Sequence, residues 1–437
     1  MNKKLGTLPV VAIAFGGMVG GGIFAVTGLA VGITHGAAPI AFIIAGFIAL
    51  LTAYSYWKLT LALPSDGGTV EFINQGFGTG VLSGTLNILL CLNYVVLLSV
   101  YAYAFGSYGA HLFGFEDFNL WLHALLSGVI VVLFLINIIG ADFVVKSETT
   151  LNIVKLFLLL IFIIAGLLTP MQHIETLFPK NYDVSALSIF SGAMIIFLNY
   201  EGFELVANAA KEIKDPKKTL PIAYIGSVLM TIILYVLIVT VVLGHLSLTQ
   251  ISTHSNYVLS IAANSVFGTT GFTLISITAL IATTSAINAT FYASSRLVDS
   301  IAKSKELPQK LERTILGKKI WGLVIFAFLA LLLANTVPLN AIATVGSAGF
   351  LIIFGAVNWI CFQKSKDIDA SSIISITGVI FCSVALLALC WHVIQSELTR
   401  NHIWILVGMI AFSYITEVVY QTVKKKSNLH GLNLKND

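Results

Sequence analysis

The chain has 437 residues, 57% of them hydrophobic and 10% charged, with a formal net charge of +4. An average soluble domain carries about a quarter charged residues, so this composition excludes a water-soluble globular protein. The slight positive balance supplies no argument for a nucleic-acid partner.

Apolar runs long enough to cross a bilayer, about 20 residues each, recur to the end of the chain. About twelve are read, at roughly 6–33, 38–62, 79–112, 120–140, 149–169, 185–209, 218–245, 271–300, 321–336, 339–362, 371–393 and 401–423. The expected class is an all-α polytopic membrane protein. Only Met1 to Gly6 precede the first run, so that helix is expected to stay and act as its own insertion signal. Lys3, Lys4, Lys211, Lys214, Lys217 and Lys218 fall in loops on one side. Lys303, Lys305, Lys310, Arg313, Lys318 and Lys319 join them, as do Lys424, Lys425 and Lys426. The opposite loops hold Lys180 and Arg400, which by the positive-inside rule places both termini in the cytoplasm. The mixed-charge stretch 301–320 reads as an amphipathic connector, Leu246 to Asn264 as a segment lying across the membrane surface, and the chain from Lys424 as a polar, mobile tail.

The first run contains FGGMVGGGIF, in which five of the seven residues from Gly16 to Gly22 are glycine. Each glycine loses about 1 kcal/mol of helix propensity against alanine, in a solvent that offers the backbone no other partner. Two readings account for it. The pairs Gly16/Gly20 and Gly17/Gly21 fit close helix packing. Alternatively the helix unwinds, and its freed N–H groups suit a carboxylate while its freed carbonyls suit an ammonium or a cation.

Further along, Lys155 stands about two turns inside the fifth run. A charge at depth costs at least about 2.5–3.5 kcal/mol. Either its stem snorkels toward water, or it faces the bundle beside the glycine break as a group that gains and loses a proton. The sixth run contains NYEGFE, with Glu201, Gly202 and Glu204. One or both carboxylates line a watery cavity, or Glu204 is a buried protonated strut. A glycine interruption repeated five runs later is the pattern of an inverted repeat, because an odd number of spans turns the second copy over. The expected organisation is residues 1–169 as one repeat, 185–362 as the second, 371–423 as two added helices and 424–437 as a cytoplasmic tail.

Cys91, Cys361, Cys382 and Cys390 lie inside apolar runs with no ligand spacing, so neither disulfides nor a metal site is expected. His35, His111, His123, His173, His245, His254, His392 and His402 gather near the outer face, where packing at the interface is the default and pH sensing the alternative.

These motifs resemble the amino acid–polyamine–organocation (APC) superfamily over nearly the whole chain. GGMVGGGIF is similar to its first-helix signature, LPSDGG at Leu63 to Gly68 to its first inner-loop motif, and FLNYEGFELVANAAKEIKDPKKTLPIA at Phe197 to Ala223 to its helix-six-to-seven segment. NIVKLFLLLIFIIAGL places Lys155 where the prokaryotic proton-coupled, broad-specificity members carry a lysine. The resemblance implies a five-plus-five, LeuT-like inverted-repeat core with two extra helices. It implies a substrate carboxylate at the backbone of Gly20, Gly21 and Gly22, and an amine at the carbonyls of Met18, Leu198 and Glu201. Lys155 would face Gly16 and the hydroxyls of Thr284 and Ser285, with Glu204 the next candidate for the proton. The sequence departs from the family at Gly21, where many members place a hydroxyl, and at Glu201, which is often apolar; an ionised Glu201 favours cationic side chains and a protonated one small neutral ones.

The expected function is secondary active transport of amino acids by alternating access in the cell (inner) membrane, with proton symport favoured and no cofactor. An amino acid or polyamine exchanger is the alternative, and a sensor that binds without transporting is a rival of another class. An integral-membrane enzyme would need clustered His, Asp or nucleophile residues at one face, and the sequence has no such cluster.

Overall fold

The computed structural model describes residues 4–139, 141–178, 185–303, 320–397 and 399–433. Among these every regular element is helical, and the β pairing is a single parallel bridge between Leu5 and Ile213. The helices are α1 (Thr7–Met18), α2 (Gly22–Thr34), α3 (Ala38–Ala62), α4 (Thr69–Phe77), α5 (Val81–Leu112), α6 (Phe118–Ile139), α7 (Ala141–Leu168) and α8 (Ala186–Ile196). Two 3-10 segments, Phe197–Tyr200 and Phe203–Glu212, continue from α8. Then come α9 (Pro216–Pro221), α10 (Ser227–His245), α11 (Leu248–Thr253), α12 (Val258–Lys303), α13 (Trp321–Thr336), α14 (Leu339–Gln363), α15 (Ser372–Gln395) and α16 (His402–Asn433). Among the described residues ten helical stretches are long and apolar enough to cross a membrane, and α1 and α13 are shorter apolar helices. The protein is an all-α, multi-pass membrane protein.

Every expected run has its helix, and the differences lie at ends. Leu246 to Asn264, expected across the membrane surface, folds as α11, a 3-10 turn and the start of α12, and packs on α2. Its apolar interruptions decide this: Ile251, Val258, Leu259, Ala262 and Ala263 are fully buried, and that burial outweighs the polarity between them. The chain then bends at Gly268, whose φ of 65° interrupts α12. At the other end α16 continues to Asn433 where a mobile tail was expected. Pairs one turn apart support it as far as Lys424, Gln421 donating to Glu417 at 2.6 Å and Lys424 lying over the Tyr420 ring. Most of the connector 301–320, Lys3 and Lys180 fall outside the described residues.

The core is built around α5, which packs against α6, α12, α13, α14 and α16. Beside it stand the two interrupted helices, arranged antiparallel: α1 packs on Phe203–Glu212, and α2 packs on α8. Their interruptions therefore meet at one level, and the site lies there.

Candidate functional site

The first break is Val19–Gly21, between α1 and α2. It frees the carbonyls that end α1 and the N–H groups that begin α2. Lys155, on α7, donates from Nζ to the Gly16 carbonyl at 3.1 Å and is 1% exposed. It faces the bundle; it does not snorkel. Tyr235, on α10, places its hydroxyl 2.6 Å from the Met18 carbonyl and 3.1 Å from that of Asn199, so one side chain ties the two breaks together.

The second break follows α8. Ser347, on α14, accepts the Leu198 N–H at 3.2 Å and donates to Ile195 O at 3.3 Å, which satisfies the end of α8. Glu201 then adopts extended backbone (φ −78°, ψ 148°), and Gly202 takes φ 123°. That φ admits glycine and few others. The Gly202 N–H donates to Glu204 Oε2 at 2.6 Å, so Glu204 closes the first turn of Phe203–Glu212, where the helix dipole also favours a carboxylate. Glu201 is 1% exposed, and neither of its carboxylate oxygens has a hydrogen-bond partner among the described residues. An unsatisfied buried carboxylate is costly, which makes Glu201 a candidate for the site.

The breaks touch backbone to backbone. A Cβ on Gly17 would stand 2.9 Å from Gly202 O, and one on Gly202 would stand 2.4 Å from Gly17 C. Both lie far inside the closest approach of real Cβ atoms, so glycine on each side is what lets the helices meet. The glycines that begin α2 are roofed by side chains: a Cβ on Gly21 would meet the Tyr101 ring at 2.7 Å and Thr283 Cγ2 at 2.9 Å, and one on Gly22 would meet Asn199 Oδ1 at 2.5 Å. Gly20 faces Ala286. Thr283 spends its hydroxyl on its own helix, donating to Ala279 O; Thr284 is half-buried and Ser285 buried on the same stretch of α12.

Two cavities flank this contact. A small one of about 20 Å³, large enough for one water, is lined by Gly17, Gly202, Glu204, Tyr94, Tyr101 and Thr290 among others. The larger, about 270 Å³, runs from Gly17 to Leu5. Its walls are stripes at helical spacing: Leu205, Asn208, Ala209 and Glu212 from one helix, Ala289, Tyr292, Ala293 and Arg296 from α12, and Pro9, Ala12 and Ile13 from α1. Leu5 closes the end, its N–H donating to Glu212 O and its carbonyl accepting from the Lys214 N–H, each at 2.7 Å.

Of the sequence-expected residues, Gly16, Met18, Gly20, Gly21, Gly22, Lys155, Leu198, Glu201 and Glu204 lie at the two breaks, whereas Thr284 and Ser285 stand on α12 next to Thr283, which is the hydroxyl residue that meets Gly21. Ser347 and Asn199 were not anticipated, and neither were three further contributors. Tyr235 was marked by a signal, the one tyrosine in the otherwise largely aliphatic run Ser227–His245. Asn152 was marked by its i, i+3 spacing to Lys155, and its amide abuts Gly16. Tyr101, in the aromatic-rich VYAYAF, had no distinguishing signal.

A family model described as amino acid permease matches residues 5–412. The chain is 33% identical over 430 residues to the inner membrane transport protein YbaT of Escherichia coli (strain K12), covering 97% of each chain. It is 28% identical over 317 residues to the serine/threonine exchanger SteT of Bacillus subtilis (strain 168), covering 70% of each. With the branched-chain amino acid permease BcaP of the same organism the identity is 22% over 444 residues, covering 94% of this chain and 92% of the other.

Proposed function

The chain belongs to the amino acid permease family of the APC superfamily, and we propose that within it this protein is a proton-coupled symporter of amino acids that works by alternating access. Its family and relatives are transporters and not enzymes. In this reading the protein sits in the cell membrane with both termini in the cytoplasm, and residues 1–169 and 185–362 are the two inverted repeats. The antiparallel packing of the interrupted helices supports that relation.

The substrate carboxylate is held at the backbone N–H groups of Gly20, Gly21 and Gly22, where α2 begins and its positive dipole end points. The carbonyls of Met18, Leu198 and Glu201 take the amine. Met18 O already accepts from Tyr235, so it offers the substrate its second lone pair. The roof of Tyr101, Asn199 and Thr283 over these glycines, beside a cavity that reaches Gly17, supports a site closed on one side and approached from the other.

The observation that carries the coupling is the Lys155 bond to Gly16 O at the break. Protonated, the ammonium stands where a bound cation would, holding α7 to the end of α1. Deprotonated, it loses charge-assisted strength in that cross-bridge, worth roughly 1–3 kcal/mol, and the helices are freed to rearrange. Lys155→Ala should lose accumulation of labelled amino acid in proteoliposomes under an imposed inward proton gradient, while the purified variant still binds substrate in detergent. Normal gradient-driven accumulation by Lys155→Ala would pass the proton role to Glu204. A second reading, obligatory exchange, is favoured by the likeness to SteT, itself a serine/threonine exchanger. Counterflow without a pH gradient, combined with no net uptake under one, would establish it.

A further inference from the structure

The cavity that ends at Gly17 carries charges that the central site does not use. Gly17, Leu205, Ala289 and Ala293 line both cavities and so mark the deep end. Glu212 lies seven residues beyond Leu205, roughly 10–14 Å, and Arg296 three beyond Ala293, roughly 4–6 Å, at the rise of α and 3-10 helices, and each is the last residue of its helix to line the cavity. The two charges therefore face the same outer part of the cavity, next to Leu5.

Arg296 is fixed there. Its guanidinium carbon lies 4.7 Å from the Tyr292 ring centroid, and it donates a hydrogen bond to the Tyr292 hydroxyl. That contact positions the cation without neutralising it. Arg296 and Glu212 are both half-buried. The ion pairs among the described residues lie elsewhere, at His173–Glu175 and Lys211–Asp66. Asn208 adds an amide between the charges and the deep end, and Asn152 adds another whose Oδ1 is buried with no hydrogen-bond partner among the described residues. One fixed cation, one anion and two amides thus face a volume of about 270 Å³. A pocket of that size suits one small molecule.

We propose that Arg296, Glu212 and Asn208 form a second binding subsite, for the zwitterionic end of an α-amino acid, on the side of the membrane that holds Leu5. The planar guanidinium takes the carboxylate as a fork, Glu212 takes the ammonium, and the substrate side chain lies toward the alanines of α12. The subsite rests on the reading of this protein as an amino acid transporter, and is a staging point between Gly17 and water. Because its charges are partly solvated, it binds more weakly than the closed central site.

The test is equilibrium binding to the purified full-length chain, with a panel of labelled L-amino acids and, for the tightest binder, its N-acetyl and α-amide derivatives. Wild type should show two components. Gly22→Val should remove the tighter and leave the weaker. Arg296→Gln and Glu212→Gln should each weaken the second component at least tenfold with the tighter one retained; Arg296→Lys, which keeps the charge but not the fork, should weaken it less. Neither blocked derivative should occupy the second site. Arg296→Gln is read against the wild-type background, so the result does not depend on how Gly22→Val folds. A single component that a folded Gly22→Val protein loses entirely would overturn the subsite and leave the transport reading standing, as would two components unchanged in Arg296→Gln. No binding of any amino acid by the wild-type chain would overturn both.

Discussion

The break at Val19–Gly21 carries no side chain able to bond its own freed backbone, whereas the break at Glu201–Gly202 carries two carboxylates within four residues. The first is served from outside: Lys155 reaches Gly16 O from α7, and Tyr235 reaches Met18 O from α10. The second is served from both sides: its own Glu204 takes the Gly202 N–H, while Ser347 of α14 takes the Leu198 N–H and Tyr235 of α10 reaches Asn199 O, with Glu201 left over. Hydrocarbon forbids unsatisfied backbone in either place, so both are met, but by different means. A break served by other helices is sensitive to how those helices stand. The turn at Gly202, which Glu204 closes from within, keeps its shape while its neighbours move. In this comparison the glycine-rich break is the adjustable element, and the acidic one is the fixed partner against which it adjusts.

The contact between them is where substitution should do most harm. Gly202→Ala places a Cβ 2.4 Å from Gly17 C on backbone at φ 123°. Strain at such a φ costs on the order of 1–3 kcal/mol and overpacking a similar amount. The purified protein should melt many degrees lower in a thermal-shift assay and transport nothing; wild-type melting would mean that the breaks need not touch.

Glu201→Gln should have a large effect on selectivity and a small one on folding. It keeps the shape of the one carboxyl that neither break employs and removes its charge. Uptake of L-arginine relative to L-alanine should then shift severalfold. Equal loss of both substrates would make Glu201 part of the coupling machinery and end its assignment to the substrate side chain.

The smallest effect belongs to Tyr235→Phe, which removes a single hydroxyl from between the breaks. The loss of its hydrogen bond should cost about 1 kcal/mol, read as a modest fall in melting temperature. If the glycine-rich break is the adjustable one, the rate of alternation in transport should change more than the melting does. Tyr200→Phe removes a comparable bond, to Phe42 O at 2.8 Å, and should change melting alone. Identical transport defects in the two variants would erase the distinction between the breaks.

The helical class, the two interruptions and the ionisable residues at depth were legible in the sequence because each follows from a local rule. A bilayer tests the chain in windows of about 20 residues, so apolar runs, a glycine cluster in one of them and a lone Lys155 or Glu201 stand out without reference to anything distant. The partners were decided by tertiary structure. Lys155 and Gly16 are 139 residues apart, and Tyr235 and Met18 are 217 apart. No local pattern states which helix faces which, because in hydrocarbon apolar surface alone does not drive helices together and close packing must select the neighbours. The same limit explains why Arg296 and Glu212 read in the chain as ordinary charges near helix ends. Only the packing of their two helices against α1 turns them toward one cavity.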